Sequence, residues 1–356
     1  MRYSIVLAAG KGLRMKSKEE DSKVSFPILG KPIIGYVLDV LDTLKIDKQI
    51  VVVGFGGETI KKIVGDRAET VWQDVQRGTG HAALQAYDLL HELEGETIIL
   101  SGDTPLLTKD TLKNLFKKHE RYENDVTILT AYLEKPEGYA RIIRDPKSQK
   151  IVAVKDEKDC SYDEKQFNEV NTGAYIFNNK LLFEMLKKEN PDGNQQSQLS
   201  NIVTKIINEG FKVDSYVTLD QEEAFSIANR QQLSYVSKVL SKKINKKLMM
   251  NGVSIEDLNS THISPDVEIG QDTIILPNTI ILGKCQIGEE NYIGPNAYIS
   301  NSNIGNRNTI KGSWIEDSSL GDDNIVEPNA VISENTSIGN NQKLESFQLY
   351  KNKTIR

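Results

Sequence analysis

Two periodicities divide the chain. Over residues 1–220, short apolar runs alternate with segments whose apolar residues recur at helical spacing. Ser4–Ala9, Gln49–Val53, Thr97–Leu100, Asp125–Leu133 and Ala174–Phe177 read as strands, and Pro32–Leu44 and Gly80–Leu93 as helices. This alternation predicts a largely parallel sheet with helices on its faces, a Rossmann-like α/β domain. Such sheets bind ligands beyond the carboxyl ends of their strands. Gln221–Met250 then reads as one long helix.

After Gly252 the period becomes six. Ile263, Ile269, Ile275, Ile281, Ile287, Ile293 and Ile299 stand six apart, and Ile304, Ile310, Ile315, Leu320, Val326, Ile332 and Ile338 follow in steps of five or six. Neither a helix nor an ordinary strand repeats at six. A parallel β-helix with three short faces per coil does, because each face turns one residue inward. The expected organisation is therefore an α/β domain over 1–225, a linker helix over 226–252, a left-handed parallel β-helix over 253–340 and a polar tail over 341–356. Flat-sided β-helices commonly associate in threes, so a homotrimer is expected.

Composition narrows the function. With 44 Lys and Arg against 50 Asp and Glu, the net charge is 44 − 50 = −6. A protein that binds the nucleic-acid backbone would be basic, so nucleic acid is not an expected partner. Cys160 and Cys285 stand far apart without metal-ligand or disulfide spacing. No stretch approaches the roughly 18 apolar residues of a membrane span, and the run ending at Ala9 is too short for a signal-peptide core. A cytoplasmic location without membrane association is expected.

The candidate chemistry gathers where strands end. The first strand runs into Leu7, Ala8, Ala9, Gly10, Lys11, Gly12, Leu13 and Arg14. Small residues and two glycines let backbone N–H groups approach phosphates, and Lys11 and Arg14 add cationic charge. This is neither the dinucleotide fingerprint nor a Walker loop. Lys23 follows; alone it would read as solvated surface. Gln73 offers a donor and an acceptor, as a pyrimidine edge requires. Gly78, Thr79 and Gly80 open a helix, where a base or ribose could lie close to the backbone; they read equally as a helix cap. Asp103 sits at the end of an apolar run, suited to a hard cation such as Mg²⁺ or to a turn. Asn171 precedes Gly173 and could bond a sugar hydroxyl; it reads equally as a turn.

Taken in order, LAAGKGLRMKS, KV, LGKPI, QDVQRGTGHA, SGDTPLLT, EGYARI, DEKD, EVNTG, ANR and the hexapeptide coils cover nearly the whole chain. The set resembles the bacterial bifunctional N-acetylglucosamine-1-phosphate uridyltransferase/glucosamine-1-phosphate acetyltransferase family. The resemblance implies transfer of a uridylyl group from UTP to a sugar 1-phosphate. It implies triphosphate binding by Leu7–Gly12 and Arg14, with Lys23 at the α-phosphate. Gln73, Gly78 and Thr79 would hold uracil, and Asp103 would hold Mg²⁺. Gly138, Asp156 and Asn171 would line the sugar site.

Departures are specific. Leu13 replaces a small hydroxyl residue, Ala140 a Gly, and Gln195–Gln198 a Gly-Glu-Tyr-Tyr stretch. The family's second metal-ligand Asn aligns with Ala228, leaving Asn229 next to it as the candidate. No His follows His262, so the family's acetyl-transfer base is missing and no acetyltransferase activity is expected. Two other readings fit these departures: a nucleotidyltransferase for another sugar 1-phosphate or base, and a nucleotide-sugar-binding module without turnover.

Overall fold

The computed structural model describes residues 1–16 and 22–356. They form two compact units, Met1–Phe26 with Pro32–Gln232, and Pro27–Lys31 with Leu233–Arg356. In chain order the strands up to residue 217 are β1 (Arg2–Leu7), the short pair β2 (Pro27–Ile28) and β3 (Lys31–Pro32), β4 (Lys48–Val53), β5 (Glu69–Trp72), β6 (Glu96–Ser101), β7 (Val126–Tyr132), β8 (Arg141–Arg144), β9 (Ile151–Lys155), β10 (Glu169–Asn178) and β11 (Val213–Val217). The helices are α1 (Ile33–Asp42), α2 (Gly57–Val64), α3 (Thr79–Leu84), α4 (Tyr87–Leu90), α5 (Lys109–Arg121), α6 (Asn179–Glu189), α7 (Leu199–Asn208) and α8 (Arg230–Met250).

Among the described residues the first unit is built on a nine-stranded sheet in the order β11-β7-β10-β6-β1-β4-β5, with β8 paired to β10 and β9. β1, β4, β5 and β6 run parallel, whereas β10 is antiparallel to both β6 and β7. The expected parallel core is present, and the antiparallel β10 makes the sheet mixed. The strands read as unbroken apolar runs because both faces are covered. Ile5 packs in one layer with Leu182, Leu199 and Ile202, and Val6 in the other with Leu38, Leu112 and Leu115.

Two helical expectations change. Gly80–Leu93 forms two short helices, α3 and α4, rather than one. Gln221–Met250 is interrupted. A 3₁₀ turn at Gln221–Ala224 is capped by the Asp220 side chain and ends at extended Phe225, and α8 begins at Arg230. The break has a tertiary cause: the Ile227 N–H donates to the Asp103 carbonyl at 3.0 Å instead of to a helical neighbour. Asn229 Oδ1 then accepts from the Gln232 N–H at 2.9 Å, and Gln232 Oε1 accepts from the Ala228 N–H at 2.8 Å, a reciprocal cap that starts α8.

The second unit is a left-handed parallel β-helix of three six-stranded sheets. Ile263, Ile281, Ile299, Ile315 and Ile332 stack in register on one face, all fully buried. At one corner, buried Asn291, Asn308 and Asn324 form a ladder: Asn308 Nδ2 donates to Asn291 Oδ1 and Asn324 Nδ2 to Asn308 Oδ1, both at 3.0 Å. Residues 341–356, expected as a tail, instead supply the last strand of every sheet: Lys343–Leu344, Leu349–Lys351 and Thr354–Ile355. Leu344, Tyr350 and Ile355 extend the inward ladder beyond Ile338 in steps of six and five, while the polar residues around them face outward.

Candidate active site

The site lies at the carboxyl ends of β1 and β6, which pair so that Leu7 stands beside Ser101. The loop after β1 is held by the Ala8 N–H donating to the Val52 carbonyl at 2.9 Å, and the loop after β6 by the Gly102 N–H donating to the Leu7 carbonyl at 2.9 Å. Gly12 has φ +57°, and a Cβ there would meet Lys23 Cβ at 2.8 Å. Glycine therefore lets the first loop close on the lysine.

Two adjoining cavities open here, of about 280 and 240 Å³. Leu7, Thr79, Ser101 and Gln198 line both. The first also takes Ala8, Ala9, Gly10, Lys23, Gln73 and Gly78; the second takes Asp103, Gly138, Asp156 and Asn171. Lys23 and Asp103 form an ion pair, so the lysine of one cavity meets the carboxylate of the other. Asp103 is only 5% exposed, and Ser101 Oγ donates to its other oxygen at 2.5 Å.

At the far end of the first cavity, Gln73 is buried. Its Nε2 donates to the Gly78 carbonyl at 3.2 Å and contacts His81 Nδ1 at 2.7 Å. Burial, with Arg77 nearby, holds the His81 imidazole below its usual range, against a hydrogen bond with the Gly193 backbone. Gly78 has φ +101°, and a Cβ there would lie 2.3 Å from the Ser197 carbonyl oxygen. Ser197 and Gln198 clasp this helix start: the Gly80 N–H donates to the Ser197 carbonyl at 3.0 Å, and Thr79 Oγ1 donates to Gln198 Oε1 at 3.0 Å.

In the second cavity, Asn171 Nδ2 donates to Tyr175 Oη at 2.5 Å, and its Oδ1 accepts from the Gly173 N–H at 3.0 Å. Asp156 accepts from Ser200 Oγ at 3.0 Å, and the Gly138 N–H donates to Glu157 at 2.8 Å. Burial pushes the Tyr175 and Tyr139 phenols up, keeping both neutral hydrogen-bonding groups.

The sequence-derived residues thus separate. Leu7 to Gly10, Lys23, Gln73, Gly78, Thr79, Asp103, Gly138, Asp156 and Asn171 converge. Lys11 and Arg14 are exposed and line neither cavity, and no described residue bonds their side chains. Asn229, expected as a metal ligand, lines neither cavity; its side-chain oxygen caps α8. Sequence reasoning missed Gln198, Ser101, Tyr175 and Ser200. Gln198 stood out only as part of the departing Gln195–Gln198 stretch, with nothing local to place it beside Thr79, 119 residues away.

A nucleotidyl transferase family model matches residues 3–222, and a bacterial transferase hexapeptide model matches residues 266–301. The bifunctional protein GlmU of Enterococcus faecalis is 40% identical over 355 residues, 99% of this chain and 77% of the relative. The chain belongs to the GlmU family of nucleotidyl transferases. The GlmU protein of Caldanaerobacter subterraneus subsp. tengcongensis is 44% identical over 319 residues, 89% of this chain and 69% of its own. A putative glucose-1-phosphate thymidylyltransferase from Bacillus anthracis, solved with sucrose, superposes with TM-score 0.56 at 14% identity, covering 67% of this chain and 95% of the other; at that identity it speaks for the fold alone.

Membership makes the chain an enzyme of sugar-1-phosphate nucleotidyl transfer, acting on a nucleotide and a sugar phosphate with a divalent cation. The donors fit such a cation. No group of three or more His, Cys, Asp or Glu could hold a metal among the described residues, but Asp103 presents a buried hard oxygen donor. One carboxylate completed by substrate phosphates and water is the usual Mg²⁺ arrangement. No described helix is long and apolar enough to cross a membrane.

Proposed function

We propose that the chain transfers the uridylyl group of UTP to N-acetyl-α-D-glucosamine 1-phosphate, giving UDP-N-acetylglucosamine and pyrophosphate. The observation that carries this reading is the pair of adjoining cavities joined by Lys23 and Asp103. One is walled by backbone and small residues, as a nucleotide needs. The other is lined by hydroxyls, amides and carboxylates, as a sugar needs.

A phosphate oxygen of the sugar phosphate attacks the α-phosphorus of UTP. A new P–O bond forms, the bond to the β-phosphate breaks, and pyrophosphate leaves. The protein forms no covalent bond, so orientation and charge neutralisation carry the rate. Lys23 places an ammonium at the cavity junction, where charge accumulates on the α-phosphate. The Gly10 loop brings its backbone against the triphosphate, and Lys11 and Arg14 neutralise its outer charge. Asp156, Asn171 and the Gly138 backbone orient the sugar. Asp103 would hold Mg²⁺, which supplies charge neutralisation to the phosphates when bound.

These 356 residues are proposed to carry no acetyl transfer, since no histidine follows His262 to act as base. Trimer assembly is supported by one apolar face of the β-helix, where Ile280, Tyr298, Trp314, Val331 and Leu349 line up in register. Trp314 is 44% and Leu349 57% exposed, so the unit alone leaves this stripe in water. The test of the reaction is a panel of four nucleoside triphosphates against N-acetylglucosamine 1-phosphate and glucose 1-phosphate, read as pyrophosphate release. UTP with the N-acetylated sugar should give the highest kcat/KM. A preference for glucose 1-phosphate or for another triphosphate would overturn the assignment.

A further inference from the structure

We propose that His81 is a positioning residue for base choice: by accepting a hydrogen bond from Gln73 it fixes the Gln73 amide so that only a carbonyl oxygen faces the base. The inference rests on the uridylyl reading above and deepens it.

A glutamine amide is ambiguous as a reader of bases, because a half-turn exchanges its acceptor for its donor. Here two neighbours remove the ambiguity. The Gly78 carbonyl, 3.2 Å away, can only accept, so the amide nitrogen must face it. The same nitrogen lies 2.7 Å from His81 Nδ1, where two donors cannot meet; the Gln85 amide nitrogen stands off at 3.4 Å from Nε2, so the closer contact makes Nδ1 the unprotonated nitrogen. The imidazole is 7% exposed, and its burial disfavours the charged form that would put a proton there. Both amide hydrogens are then committed inside the protein. Gln73 Oε1 has no donor among the described residues, yet it is not sealed in the interior, and Gln73 lines the nucleotide cavity.

A fixed carbonyl oxygen selects one chemistry. The N3–H of uracil can donate to it. The N3 of cytosine carries a lone pair and would leave two acceptors facing each other, a cost with no compensating bond. His81 touches no substrate in this scheme; it acts through Gln73. The device separates UTP from CTP and does not separate uracil from thymine, which shares the N3–H.

The test measures kcat/KM for UTP and CTP in the full chain and in His81→Leu, His81→Asn, Gln73→Ala and the Gln73→Ala/His81→Leu double variant. Losing one of the two neighbours that orient the amide should lower the UTP-over-CTP ratio of His81→Leu about tenfold, the order expected for one buried hydrogen bond. The change should fall on KM, because the base contact is made equally in ground and transition states. His81→Asn keeps an acceptor near Nδ1 and should retain most of the ratio. In the Gln73→Ala background His81→Leu should change the ratio no further.

A ratio untouched by His81→Leu, or lowered equally with and without Gln73, overturns the role of His81 and leaves uridylyl transfer standing. A wild-type enzyme that uses CTP as well as UTP overturns both. If His81→Leu does not fold, imidazole nitrogen NMR of the wild type decides: the Nε2–H tautomer at neutral pH supports the assignment, and a proton on Nδ1 contradicts it.

Discussion

Gly78 should be the least replaceable residue at the base end of the site. Its φ of +101° and ψ of 175° lie in a region open almost only to glycine, and a non-glycine residue held there costs about 1–3 kcal/mol. A Cβ would also lie 2.3 Å from the Ser197 carbonyl oxygen and 2.7 Å from Gln198 Nε2. The first of these is backbone pinned by hydrogen bonds, so it cannot swing aside, and overpacking of this kind costs about another 1–3 kcal/mol. Gly78→Ala should therefore lose roughly 2–6 kcal/mol, or relieve the clash by lifting residues 197–198 off the helix start. At ~2–4 °C per kcal/mol for a unit of this size, the first unit should melt lower by about 4 °C or more. The control is Gly210→Ala, where φ is +87° but nothing lies within 4 Å of the new Cβ. It should show only the dihedral cost, with unchanged KM for UTP. Calorimetry and UTP kinetics on both variants check the argument. A Gly78→Ala protein with wild-type melting and wild-type KM would refute it.

Other expectations are as direct. Asp103→Asn should fold normally and lose activity by orders of magnitude, since several kcal/mol of charge stabilisation at the phosphates disappear; near-normal turnover at ordinary Mg²⁺ would remove Asp103 from the metal site. Asn229→Ala should lower stability by about 1 kcal/mol through the lost cap while leaving the Mg²⁺ titration of activity unchanged; a shifted titration would restore Asn229 as a ligand. His119 is buried and its pKa is depressed from 6.5 to about 4, so the unfolded chain binds its proton first. Stability of the first unit should thus fall between pH 6.5 and 4, by up to about 1.4 kcal/mol per unit, and His119→Asn should flatten that dependence in acid-unfolding curves. Deleting 341–356 should strip the last strand from each β-helix sheet and lower that unit's melting temperature, whereas a true tail would be removed without effect.

Much of this was legible because the signals were local. The six-residue period fixed the β-helix from Ile263 to Ile338 without reference to anything distant. Strand ends followed by small or polar residues marked Ala8 to Gly10 and Asp103 as site positions. What could not be read depended on contacts between remote segments. The break before α8 follows from the Ile227 N–H reaching Asp103, and the same detour turns Asn229 into a cap. Gln198 reaches the site across 119 residues of chain, where it lines both cavities and bonds Thr79. The last coil was missed for another reason: its glycines are gone and its outward positions are mostly polar, although Leu344, Tyr350 and Ile355 keep the inward spacing.

The most direct test of the account is product formation by the purified chain. UTP, N-acetylglucosamine 1-phosphate and Mg²⁺ are incubated with the protein, and UDP-N-acetylglucosamine is quantified by mass spectrometry against pyrophosphate released. The account predicts the two products in equal amounts, dependent on both substrates and abolished in Lys23→Ala. Tight binding of UTP or of the nucleotide sugar with neither product formed would contradict it.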